Sequence, residues 1–71
     1  MLFRSHIAPG ATVCGGSQIF DNVFLGAGSV VIQGIKIGHN SIIGAGSVIT
    51  SDIPPDVVVT GVPARIIKRR T

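Results

Sequence analysis

Tryptophan and tyrosine are absent, cysteine occurs once, and only 13% of the 71 residues are charged. A lone Cys14 excludes an internal disulfide framework and supplies no metal-ligand spacing, so it reads as a small buried apolar side chain. Aromatic rings are limited to Phe3, Phe20 and Phe24, too few for a stacking platform. No apolar run approaches the ~20 residues that span a bilayer, and no basic segment followed by an apolar core opens the chain. We therefore expect a soluble, cytoplasmic protein with no membrane partner.

The net charge of +3 suggests an anionic partner until the charges are located. Four of the six basic residues, Arg65, Lys68, Arg69 and Arg70, stand in the last seven positions, and the body is nearly neutral. A diffuse basic face is missing, so nucleic acid is not an expected partner.

What the chain does have is apolar residues, at 45% of the total. A globule of this size buries only ~60% of its unfolded surface. Such richness requires a fold that buries surface efficiently, a partner that covers the remainder, or both.

The order of the apolar residues decides between architectures. Counted in sixes from Ile7, the first positions are Ile7, Val13, Ile19, Leu25, Val31, Ile37, Ile43 and Ile49. Isoleucine, leucine and valine make up 22 of 71 residues, so eight hits in any of six phases arise by chance about once in two thousand. Three residues further on stand Gly10, Gly16, Asn22, Gly28, Gly34, Asn40, Gly46 and Asp52, types that tolerate positive φ. One column fills an interior and the other turns a corner. The residues after the corners, Ala11, Ser17, Val23, Ser29, Ile35, Ser41, Ser47 and Ile53, are small or β-branched and suit an inward place beside it.

A period of six excludes helix over residues 7–53. Three six-residue segments close a triangular coil, and coils at 7–24, 25–42 and 43 to about 60 stack as parallel strands. The reading is an all-β chain, a parallel β-helix of about three coils in a single domain over residues 1–71. The repeats fill 7–53, and a C-terminal cap and basic tail fill 54–71. Pro54 and Pro55 stop the pattern, because proline cannot donate to a ladder. Val57 to Thr60 reads as one more strand, Gly61-Val62-Pro63 as a turn, and Ala64 to Arg70 as a short strand or tail.

The stretch HIAPGATVCGG, the twice-used GAGSV and the ending SDIPPDVVVTGVPARIIK resemble the hexapeptide-repeat acyltransferases. Within them the chain is most similar to the C-terminal part of sugar acetyltransferases of the sialic-acid and bacillosamine type. The resemblance covers residues 5–68. It implies a left-handed helix, a homotrimer, and acetyl-CoA as cosubstrate in the cleft between neighbouring prisms.

The resemblance also implies site residues. His6 would help hold the cofactor, together with backbone groups at the corners of Ala27 and Ala45. Those two alanines are 18 residues apart and so share one corner on consecutive coils, where their backbone N–H and C=O groups would stay accessible to pantetheine. Arg65 and Lys68 would meet the nucleotide phosphates. Arg69 and Arg70 read as a solvated, frayed end.

Acyl transfer from a thioester needs a base for the acceptor proton and donors for the oxyanion. The histidines are His6 and His39. His39 lies in an outward corner and reads as a surface residue, which leaves His6 as the candidate base. In the similar transferases the catalytic histidine lies upstream of the position of His6, and a nucleotide-sugar-binding domain precedes the repeats. Two functions therefore stand. The chain is an acetyl-CoA-dependent acyltransferase with a sugar or amino-sugar acceptor, or its CoA-binding portion. Alternatively it is a non-catalytic trimeric remnant or interaction module. A zinc site is not expected, because His6 and His39 fall at different places on the coil and there is no third histidine.

Overall fold

The computed structural model describes residues 5–70, so Met1 and Phe3 lie outside the described residues. Eight strands of two residues each come first: β1 (His6–Ile7), β2 (Thr12–Val13), β3 (Gln18–Ile19), β4 (Phe24–Leu25), β5 (Val30–Val31), β6 (Lys36–Ile37), β7 (Ile42–Ile43) and β8 (Val48–Ile49). The chain closes with β9 (Val57–Gly61) and β10 (Ala64–Arg69). Among the described residues there is no helix.

Each short strand pairs in parallel with the strand one coil away, which makes three flat faces. Face 1 has the order β1-β4-β7-β9-β10, face 2 the order β2-β5-β8, and face 3 pairs β3 with β6. The register advances by 18 residues per coil, as in His6↔Phe24↔Ile42 and Thr12↔Val30↔Val48. The chain is a left-handed parallel β-helix.

Burial follows the six-residue column. Ile19, Leu25, Val31, Ile37, Ile43 and Ile49 are at most 1% exposed and fill the prism axis. Ile7 is 38% exposed and Val13 half-buried, because they belong to the first coil, whose lower end is open among the described residues. The inward column beside the corners carries buried serines, and each finds a partner. Ser29 Oγ donates to Gly26 O, Ser17 Oγ to Ile32 O, and Ser41 Oγ to Pro54 O. These three bond a corner or near-corner carbonyl, and Ser47 Oγ lies 3.5 Å from Thr60 Oγ1, so a polar group in the interior costs little.

The corners need positive φ, and seven of the expected positions have it, from Gly10 through Gly46. Asp52 does not. The third coil is two residues shorter, because Ile42 and Ile43 pair with Val58 and Val59, 16 residues on. Ile37 likewise bridges to Ile53, so Ile53 takes the axial place that strict sixes assign to position 55. The positive-φ corner passes to Asp56, at 61°, directly above Asn40 at 61° and Asn22 at 60°. Asp52 is freed from the corner, and its Oδ1 accepts the Lys36 N–H at 2.9 Å.

Pro54 and Pro55 do not stop the helix at once; they form its last corner on face 3's side. A Cβ on Gly38 would come within 2.4 Å of Pro55 N, so that corner packs tightly on the one below. Among the described residues no coil stacks above Pro54 and Pro55, so the N–H groups that proline lacks are not needed there, and an open edge is blunted. The hairpin of β9 and β10 then closes through a turn with a cis Val62–Pro63 bond. The expected frayed end is instead ordered. Arg69 pairs with Val57, Arg70 N donates to Asp56 O at 2.7 Å, and the Arg70 guanidinium donates to Asn40 O at 2.6 Å. The basic tail is held because Arg70 satisfies two corner carbonyls at once.

Candidate functional site

On face 1 the residues next to the buried axial column point outward. Since Leu25, Ile43 and Val59 are buried, the alternation of a strand places Phe24, Ile42 and Val58 on the outer side, in register with His6. His6 is exposed, and its backbone N–H donates to Val23 O at 2.9 Å.

The same side receives the basic pair. Lys68 is opposite Val58 and Arg65 opposite Thr60, and antiparallel partners share a face. Residues three apart on a regular strand would point to opposite sides. A bulge between Ile66 and Lys68 adds one residue, Ile67, and so brings Arg65 and Lys68 to one outward side. Both are exposed.

Face 1 ends at the corner made by Gly26-Ala27-Gly28 and, one coil up, Gly44-Ala45-Gly46. Ala27 and Ala45 are exposed at its tip. A Cβ on Gly26 would lie 2.5 Å from Ala45 N, so the two coils touch backbone to backbone and the corner is smooth. Contrary to expectation, the Ala27 carbonyl is not free for a ligand, because it accepts the Gly46 N–H at 2.9 Å. Coil stacking consumes that group. The Ala45 carbonyl has no such partner among the described residues, since the shortened coil and the hairpin replace the next corner.

His6, the alanine corner, Arg65 and Lys68 therefore lie along one outward face and its border. They do not converge on a point. His6 is on the first strand of face 1 and Lys68 on the fifth, roughly 19 Å apart at ~4.8 Å per strand. Such a spread suits an elongated ligand with a polar end at the cations. His39 is elsewhere, exposed at the corner between faces 3 and 1, with Nδ1 3.3 Å from Asn40 Nδ2. Among the described residues no group of three His, Cys, Asp or Glu side chains could hold a metal ion.

One feature escaped the reading of the sequence. A cleft of about 430 Å³ opens at that second corner, lined by Phe20, Asp21, Asn22, His39 and Asn40. The available signal was Phe20 itself, a large side chain where the equivalent positions of three other corners carry Gly26, Gly38 and Gly44.

Residues 16–51 match the family described as bacterial transferase hexapeptide (six repeats). The chain belongs to that family. As a bacterial-transferase hexapeptide protein it is similar to several solved acetyltransferases. A galactoside acetyltransferase in complex with coenzyme A is 49% identical with a TM-score of 0.76, over 78% of this chain and 28% of that one. PerB from Caulobacter crescentus, in complex with CoA and GDP-perosamine, is 43% identical with a TM-score of 0.85, over 86% and 30%. The acetyltransferase domain of PglB from Neisseria gonorrhoeae is 36% identical with a TM-score of 0.87, over 89% and 31%. The hexapeptide chain thus spans less than a third of the length of each. A comparison with curated proteins gives no match.

Proposed function

We infer that this chain is the CoA-binding portion of an acetyl-CoA-dependent acyltransferase whose acceptor is a sugar or amino sugar. The observation that carries the reading is the bulge-directed placement of Arg65 and Lys68 on the outward face bordered by the Ala27–Ala45 corner. CoA in the complexes of the galactoside acetyltransferase and of PerB supports the cofactor, and GDP-perosamine in the latter supports the acceptor class.

The corner backbone would hold the amides of the pantetheine arm, and the two cations would pair with phosphate oxygens. In the reaction, the acceptor hydroxyl or amine adds to the thioester carbonyl. The C–S bond breaks, the thiolate leaves, and a base takes the acceptor proton. His6 is the exposed imidazole on this face and the proposed base. A homotrimer fits the outward columns of the prism: Phe24, Ile42 and Val58 on face 1 and Val30 and Val48 on face 2 are apolar. Gln18 and Lys36 on face 3 are polar. Two apolar faces and one polar face are what packing around a central axis requires.

A calorimetric titration with CoA, with the oligomeric state measured in the same buffer, tests the reading. Saturable binding near one CoA per subunit of a trimer supports it. A folded trimer that binds no CoA overturns it and leaves the second reading, a non-catalytic interaction module.

A further inference from the structure

The two steps between coils at the corner joining faces 3 and 1 differ. The upper step is closed. Gly38 lets Pro55 pack onto it, and Asn40 Nδ2 donates to Asp56 Oδ1 at 3.1 Å. The lower step keeps its backbone bond, from Asn40 N–H to Asp21 O at 3.0 Å, but is open on its outer side. Phe20 occupies the place that Gly38 holds one coil above, and a side chain there cannot share the space that the next corner's backbone fills over a glycine.

The result is the cleft of about 430 Å³, with the Phe20 ring as one wall, 41% exposed. Asn22 and Asn40 stand on successive coils at the corner, yet no bond joins their side chains, and the Asn22 amide makes none among the described residues. The opening therefore offers an aromatic surface, amide groups that both donate and accept, and an imidazole.

The geometry points to a binding site for one neutral or amino-sugar ring, at a corner separate from the Ala27–Ala45 groove. A pyranose presents an apolar C–H face to an aromatic ring and hydroxyls, each donor and acceptor, to amides and imidazole. Among the described residues no lysine or arginine lines the cleft, so a phosphate or sugar acid would find no cation there. The site goes beyond the CoA reading and does not depend on it.

The test is a titration of the full chain, followed through backbone amide NMR shifts, with N-acetylglucosamine, glucosamine and galactose in turn. Saturable shifts at Asn22, His39 and Asn40 are expected for at least one of them. Phe20→Gly restores the glycine found at residues 26, 38 and 44, so it should fold while closing the cleft and weakening sugar binding at least tenfold. Asn22→Ala, which leaves the cleft open, should weaken it severalfold and decides the matter if Phe20→Gly fails to fold. Both variants should bind CoA as the parent does, so loss of CoA binding by the parent is a separate failure, of the cofactor reading alone. No shift at this corner with any of the sugars overturns the proposal. So does unchanged sugar binding by Phe20→Gly, or saturable binding of adenosine in place of sugar.

Discussion

The carboxylate of Asp52 accepts the Lys36 N–H at 2.9 Å and stands where a backbone carbonyl would stand in a full-length coil. In the coil below, the equivalent donor, Gln18 N–H, bonds to Ile35 O at 2.8 Å. Removing two residues from the third coil removed that acceptor, and one side chain replaced it. Asp52→Ala should therefore lower stability by about 1–2 kcal/mol, and Asp52→Asn should recover most of the loss. Urea unfolding of the three proteins checks this. Equal midpoints for Asp52→Ala and the parent would mean that water serves the Lys36 N–H equally well.

Ile43 lies in the middle of the axial column, wholly buried between Leu25 below and Val59 above. Stacked coils cannot close around a hole, since the strands on every side are fixed by their ladders. Ile43→Ala should cost about 2–5 kcal/mol, whereas Ile7→Ala at the open lower end should cost under about 1 kcal/mol. Thermal unfolding of both variants reads the contrast.

Gly26 has no room for a side chain, because a Cβ would sit 2.5 Å from Ala45 N and 2.8 Å from Gly44 C. Neither backbone atom can swing away. Gly26→Ala should destabilise by about 1–3 kcal/mol. Gly15→Ala, where a Cβ meets nothing within 4 Å, should be close to neutral. A pair of denaturation curves separates the two glycines.

The bulge at Ile67 makes a prediction about CoA rather than about stability. Deleting Ile67 removes the bulge but leaves Lys68 two positions after Arg65 and opposite Val58, so both cations keep one outward side. CoA affinity should then be retained, whereas Lys68→Ala should lower it about tenfold, and phosphate-free pantetheine should bind both variants as it binds the parent. A circular dichroism spectrum matching the parent's shows that the hairpin survives. Undiminished CoA affinity in Lys68→Ala would remove Lys68 from the phosphate site.

For the proposed reaction, His6→Ala should abolish acetyl transfer to an accepted sugar while leaving the fold intact, because His6 is an exposed residue of the first coil. Turnover measured at saturating acetyl-CoA tests the base role apart from cofactor binding. Retained turnover would place the base outside this chain's residue 6.

Much of the fold was legible in the order of residues, and the reason is periodicity. A coil repeats the same local environment every six residues, so the axial column from Ile19 to Ile49 and the corner column from Gly10 to Gly46 announce themselves without any long-range information. The site residues were legible only as types. Arg65 and Lys68 were recognisable as cations, but their common direction comes from a bulge, which arises between two strands and leaves no mark on one of them. The occupied carbonyl of Ala27 is likewise a consequence of the coil above.

The sequence by itself determined the repeat, the inward and outward positions and the number of coils, since those follow from steric rules acting over six residues. Only the tertiary structure decided where the repeat shortens, which of Asp52 and Asp56 turns the corner, and that Arg70 is anchored instead of frayed. It also decided that Phe20 opens a cleft where its neighbours close one. Each of these depends on what the neighbouring strand or corner presents, and such neighbours stand 16 to 30 residues apart in the chain, as Ile42 and Val58 or Asn40 and Arg70 do.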